Sequence, residues 1–270
     1  MAIVLPTKKT KASFSMQNIK MMVYGVNRVG KTTFCSRAES PLFILTEPGG
    51  DYIEAYKYHV KSIGEYKELI KALQKGKHPY KSYVLDSIDG LAWLIEEDLC
   101  QALKVKTVAE IPFGKGNAAA RAELERQVRS LVDLPGAVYA TSHARLGYVD
   151  TELGSQTMWQ YGFNEKSHSD IAKMFHVVGF ANFEQGIDAE GKRLENRLLR
   201  LSASSLWLAG SREPGLPESM PFNFHLFKRA VDALGEKETL QSDTTYDVNH
   251  VASVANDMAE DAAFQQLPQR

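Results

Sequence analysis

The sequence predicts an α/β fold, a mostly parallel twisted sheet flanked by helices and finished by antiparallel C-terminal strands. Three observations carry that reading. Apolar runs alternate with amphipathic segments through most of the chain, which is the pattern of βαβ units. A glycine-rich stretch ending in Gly30-Lys31-Thr32 lies between an apolar run and a helical one. A later apolar run, Tyr83-Val84-Leu85, ends in the carboxylate of Asp86.

The elements follow in chain order. Residues 19–24 read as a strand, 31–39 as a helix and 42–46 as a second strand, so the chain opens with a βαβ unit. Helical spacing returns at 65–75, a short buried strand follows at 83–85, helices are expected over 91–104 and 117–134, and a strand over 137–142. Between 147 and 165 glycine, polar and aromatic residues mix without a sustained period, which predicts a long loop. After a helix at 167–176, strands at 177–183 and 194–202 are joined through Asp188-Ala189-Glu190-Gly191, with another at 206–209 and a final core helix at 224–234. The short connection makes the end of the sheet antiparallel. The expected organisation is an arm at 1–16, a folded α/β core at 17–234 and an acidic, partly disordered tail at 235–270 with one helical stretch at 249–264.

Composition narrows the function classes. Of 270 residues, 44% are apolar, enough for a sizeable core, and 32 basic against 33 acidic side chains leave a net charge of -1. A polyanion site must therefore be local. Two cysteines, Cys35 and Cys100, are too few for a disulfide framework or a four-ligand zinc site. The apolar stretch Ile3-Val4-Leu5 is too short for a signal-peptide core, and no run approaches the roughly 18 apolar residues of a membrane span. A cytoplasmic protein without membrane contact is expected.

Gly25-Val26-Asn27-Arg28-Val29-Gly30-Lys31-Thr32 is G-x-x-x-x-G-K-T in the strand-to-helix setting that a phosphate loop requires. Its glycines let backbone N–H groups turn in around phosphates, and Lys31 brings a positive charge to the β and γ oxygens of ATP. Thr32 is the expected magnesium ligand, and Asp86 holds the ion directly or through water. Hydrolysis also needs a carboxylate beside the γ-phosphate to orient or deprotonate water. Glu47, closing the strand 42–46, and Asp89, one helical turn beyond Asp86, both qualify; position at a strand end favours Glu47.

These stretches resemble the RecA superfamily, and within it the core-only phage RecA-like ATPases of the Sak type that act in single-strand annealing and recombination. The resemblance covers about 17–230 and rests on Gly25 to Thr33, Phe43-Ile44-Leu45-Thr46-Glu47, Val84-Leu85-Asp86-Ser87 and Tyr139-Ala140-Thr141-Ser142-His143-Ala144-Arg145. It implies Glu47 as general base and His143, beside Ser142, in the place of a sensor glutamine. It also implies Asp51 near adenine with Tyr52 stacking there. The segment 209–217 resembles one that reaches into a neighbour's ATP site; its first basic position is Gly210 here, which leaves Arg212 as a lone catalytic arginine in trans.

The resemblance places two DNA segments. One is 111–117, with Lys115 between two glycines; the other runs from Arg145 to Lys166 and carries Tyr148, Trp159, Tyr161 and Phe163. Aromatic rings in an irregular segment suit base stacking, and they equally suit packing onto the core. The implied function is a magnesium-dependent ATPase that binds single-stranded DNA, assembles as a ring or filament and supports phage-type recombination or strand annealing, with a single-strand-binding protein as a further partner. The same motifs also suit a nucleotide-gated assembly protein acting on protein partners, or a translocase or helicase.

Overall fold

The structure, a computed structural model, describes residues 5, 7, 14–151, 154–187 and 193–240. Most of the expected N-terminal arm and the helical stretch at 249–264 lie outside the described residues. In order, the elements are β1 (Lys20–Gly25), α1 (Lys31–Cys35), β2 (Pro41–Leu45), β3 (Tyr56–His59), α2 (Ile63–Gln74), β4 (Ser82–Asp86) and α3 (Ile88–Leu103). They continue with α4 (Lys115–Val132), β5 (Ala137–Thr151), β6 (Gly154–Tyr161), α5 (His168–Ala172), β7 (Val177–Ile187), β8 (Arg193–Arg200), β9 (Gly210–Ser211), β10 (Ser219–Pro221) and α6 (Phe224–Leu240).

The main sheet has the order β10-β8-β7-β1-β5-β4-β2-β3. From β7 to β3 every neighbouring pair is parallel, while β8 and β10 add antiparallel. This is the mostly parallel α/β architecture read from the sequence. The sheet is covered on both faces, as a parallel sheet must be. Met22, Tyr24, Val138 and Ala140 point to a core shared with α2, α3, α4 and α5. The alternate residues Met21, Val23, Ala137 and Tyr139 point to a second core under α1 and α6. Register aligns the C-terminal ends: Gly25 lies opposite His143 and Leu45 opposite Asp86. The loops after β1, β2 and β4 therefore meet at one edge, where ligands of open α/β sheets bind.

Several elements differ from the reading of the sequence. The first helix stops at Cys35 instead of 39: the chain then tightens into turns, Arg37 N–H donating to Phe34 O and Ala38 N–H to Cys35 O, before Ser40 turns with φ 41 ahead of Pro41. The edge strand β3 is exposed along most of its length, so it lacks the buried apolar run that marks the other parallel strands. The expected helices at 91–104 and 167–176 are α3, which starts earlier at Ile88, and the shorter α5. No strand occupies 206–209; the chain there makes only isolated bridges through Trp207. Helix α6 runs on to Leu240, past the expected start of the tail.

The largest correction concerns 147–165. Instead of an irregular loop, β5 continues as one strand to Thr151 and β6 returns along it, Ala144 opposite Tyr161. Main-chain pairing with a partner strand holds this arm without needing an apolar face, so hydropathy did not reveal it. Among the described residues no helix is long and apolar enough to cross a membrane.

Candidate functional site

The loop between β1 and α1 is shaped by two glycines. A Cβ on Gly25 would stand 2.3 Å from the carbonyl oxygen of Ala181, so the chain leaves β1 pressed against β7. Gly30 has φ +104, in the left-handed region that favours glycine. Lys31 Nζ donates to the main-chain oxygens of Gly25 at 2.9 Å and Val26 at 3.3 Å. Its amine is thus folded into the loop with no carboxylate in direct contact; burial lowers its pKa, while Asp86, Asp89 and Glu47 oppose that shift.

Thr32 Oγ1 donates to Asp86 Oδ2 at 2.8 Å, and Thr141 Oγ1 to Asp86 Oδ1 at 2.5 Å. A hydroxyl and a carboxylate side by side below the loop are the hard oxygen donors magnesium takes when phosphate oxygens and water complete its shell. No cluster of three metal-ligating side chains occurs among the described residues, and such an ion needs none. The loop, a lysine held only by loop carbonyls and this oxygen pair fit ATP with magnesium. The bound ion would supply positive charge against the β and γ oxygens.

Glu47 follows β2. Its carboxylate accepts from Ser87 Oγ through Oε1 and faces His143 Nε2 at 3.1 Å through Oε2. The other ring nitrogen, Nδ1, lies 3.2 Å from Asn27 Oδ1 in the phosphate loop. An asparagine amide can turn either its oxygen or its NH2 toward Nδ1, so the carboxylate at Nε2 is what favours the charged ring. Accordingly the hydrogen bond to Glu47 raises the His143 pKa, and the same bond is the main reason the Glu47 pKa is lowered. A raised histidine pKa favours the folded state at low pH and loses that effect as pH rises through the raised value; a lowered glutamate pKa does the converse on the acid side. The pair is therefore intact from below 4.5 to above 6.5, the two ordinary values. Its effect on stability is small, since the side chains are 43% and 38% exposed. Proton titration of the His143 ring by NMR is expected to give a midpoint above 6.5, moving back toward that value in Glu47→Gln.

Asp89 is occupied differently. Its Oδ2 accepts the backbone N–H of His143 at 3.0 Å, and burial raises its pKa. It anchors the start of α3 to β5 through that bond, while its charge, like those of Asp86 and Glu47, acts on Lys31.

The remaining sequence candidates are scattered. Asp51 and Tyr52 lie in an exposed turn after Glu47, Tyr52 being 72% exposed. Arg28 is in the loop with φ 63, and Val26 donates from its N–H to Ala181 O at 3.3 Å. Val29 is buried under the loop, and Thr33 belongs to α1. Arg212 stands elsewhere: its neighbour Ser211 pairs with Val177 at the start of β7, whereas the loop meets Ala181, about 13 Å along the strand at ~3.3 Å per residue. Its guanidinium donates to Lys173 O, so it serves no phosphate in its own chain.

The hairpin residues divide by burial. Tyr148 is 79% and Leu146 57% exposed. Tyr161 is buried and packs edge-on to Tyr24 at 4.7 Å and stacked on Phe163 at 5.4 Å; it is a core residue whose ring is closed to a base, contrary to the expectation from sequence. Phe163 is likewise buried. Trp159 is half-buried, 6.0 Å from Phe180. Arg145 Nε donates to Tyr161 O at 3.0 Å, Lys166 lies in the short 3-10 turn Glu165–Ser167, and Lys115 begins α4 with Nζ 6.0 Å from the exposed Phe113 ring. Sequence reasoning missed Ser87, Thr141 and Arg197. The guanidinium of Arg197 lies against the loop, since a Cβ on Gly30 would be 3.5 Å from its Nη1. Only the pairing of β8 with β7 brings it there.

The family described as AAA domain matches residues 17–213, which takes in the loop, Glu47, Asp86 and the whole β5–β6 arm. This chain belongs to the AAA domain family. It is accordingly a P-loop ATPase domain, of a family that binds ATP and usually magnesium. The AAA domain is 24% identical over 128 residues to the SPbeta prophage-derived uncharacterized protein YorG of Bacillus subtilis (strain 168), a stretch of 45% of this chain and 40% of that protein. The chain thus spans less than half of that relative. The crystal structure of the KaiC-like protein PH0186 from Pyrococcus horikoshii OT3 overlaps 68% of this chain and 79% of its own, with TM-score 0.39 and 11% identity.

Proposed function

We propose that this AAA domain hydrolyses ATP at the loop Gly25–Thr33 and couples the reaction to single-stranded DNA held on the β5–β6 arm. In this reading Lys31 matches the charge of the β and γ oxygens, while Thr32 and Asp86 hold magnesium. Asp51 and Tyr52 flank adenine. Glu47 orients a water and takes its proton as the water oxygen bonds to the γ-phosphorus. The bond from that phosphorus to the β–γ bridging oxygen breaks, and ADP leaves with the electron pair.

One observation carries the coupling. β5 is a single strand that holds Thr141 against Asp86, presents His143 to Glu47 and then leaves the sheet as the arm bearing Tyr148. In this reading a load on the arm is passed to His143 along that continuous strand. His143 withdrawn from Glu47 would free a carboxylate whose basicity the pair suppresses.

Tyr148 supplies an exposed ring for a base, Trp159 a half-exposed one, and Lys115, Arg145 and Lys166 supply phosphate contacts. Phage-type recombination or annealing is supported by the resemblance to Sak-type ATPases and by a relative named as prophage-derived. Arg212, far from its own loop, is the cation one copy would offer to the next in a ring or filament. Mixed oligomers of Arg212→Ala and Glu47→Gln should then recover activity that neither variant has alone.

ATPase rate measured with and without an unstructured oligonucleotide tests the reading. Stimulation by single strands is expected. Tyr148→Ala should cost about 1 to 3 kcal/mol of single-strand affinity with an unchanged salt slope, and Lys115→Ala should make that slope shallower by about one counterion. Turnover indifferent to DNA, with no binding in either nucleotide state, would overturn the DNA assignment and direct the search to protein partners.

A further inference from the structure

Arg197 is a strand residue, and the alternation of β8 determines where it points. Leu199 and Leu201 are buried in the core under α1, so Arg197, two residues before Leu199, projects on the same side of the sheet. It lies higher, opposite Phe183, two residues past the Ala181 that meets Gly25. At that height the apolar core has ended and the phosphate loop begins.

Its position is fixed from two sides. The main-chain oxygen of Arg197 accepts from Phe222 N at 2.8 Å, and the Phe222 ring stacks at 4.6 Å on Phe34. Phe34 in turn donates its N–H to Gly30 O at 2.9 Å. The strand carrying the guanidinium and the loop beside it are thus tied through one aromatic stack. The side chain extends past the Phe183 ring, 6.0 Å from its centroid, to lie against Gly30. Among the described residues no carboxylate forms an ion pair with it, in contrast to Arg200 on the same strand, which is held by Glu184 at 2.6 Å. A guanidinium without an acidic partner, placed beside a loop built for phosphate, has a planar set of donors for oxyanions.

We propose that Arg197 contacts the polyphosphate of the nucleotide bound by its own chain, as a second cation that joins Lys31 from the β8 side of the loop. The inference rests on the loop being the ATP site. It makes the antiparallel end of the sheet part of the nucleotide site, and it gives each subunit an arginine at its own phosphates whatever its neighbours supply.

Calorimetric titration of the full chain with magnesium and either a non-hydrolysable ATP analogue or inorganic tripolyphosphate tests it. Arg197→Ala is expected to weaken both probes by about ten- to a hundredfold, and Arg197→Lys to recover part of the loss, since a charge returns without the planar fork. Arg197→Ala binding both probes as tightly as the parent overturns the proposal. A loss for the nucleotide analogue alone also overturns it, because the guanidinium then touches the nucleoside. A parent chain that binds neither probe refutes the ATP site itself and this inference with it, which separates the two failures. Unchanged thermal unfolding of Arg197→Lys shows that an altered affinity is not a folding defect.

Discussion

Glu47→Gln is expected to bind ATP about as well as the parent and to turn it over about 10²- to 10⁴-fold more slowly. The amide has nearly the size and shape of the carboxylate, so it still fits between Ser87 and His143. It cannot accept the proton of the attacking water, and that loss is felt in the transition state rather than in binding. The comparison variant is Asp89→Asn. Asp89 is buried and already accepts the His143 N–H, so its replacement should disturb the base of the arm more than the chemical step. Single-turnover rates with both variants decide the matter: abolished turnover in Asp89→Asn with intact turnover in Glu47→Gln would reverse the assignment.

Lys31→Ala should lose about a hundredfold in affinity for ATP. The lysine costs the folded chain something before nucleotide arrives, because its amine is desolvated and satisfied only by two loop carbonyls. Bound triphosphate would replace those weak contacts with charged ones. Removing the amine leaves the phosphate charge unmatched while sparing the loop's glycines, so the unfolding midpoint should not fall. Equal affinity of variant and parent by calorimetry would remove Lys31 from the site.

Much of this protein was legible before its structure. The phosphate loop could be read because its chemistry is local: Gly25, Gly30, Lys31 and Thr32 work through backbone conformation and immediate side chains, at spacings that sequence preserves. The placement of Asp86 and Glu47 at strand ends beside the loop could be read because a parallel strand buried on both faces is a nearly unbroken apolar run, and the carboxylate after it marks the end where the loops meet. The mostly parallel character of the sheet needed no more than the alternation of strands and helices to be expected, whereas its strand order and the edge strand β3 did not follow from it.

Other features existed only in three dimensions. The arm at 147–161 could not be read as a hairpin because main-chain pairing, which any residue can make, holds it; for the same reason Tyr161 and Tyr148, similar in sequence context, separate into a core ring and an exposed one. The contact of His143 with both Glu47 and Asn27 spans 96 and 116 residues of chain, a separation that no local pattern records. Arg197 is the clearest case. Its alternation with Leu199 determines its face from sequence alone, but its height beside Gly30 depends on the register between β7 and β8 and on the Phe222–Phe34 stack. Sequence by itself determined which chemical groups the chain carries and the class of sheet they hang from; tertiary packing decided which of them meet, because register and burial are set by contacts between residues far apart in the chain.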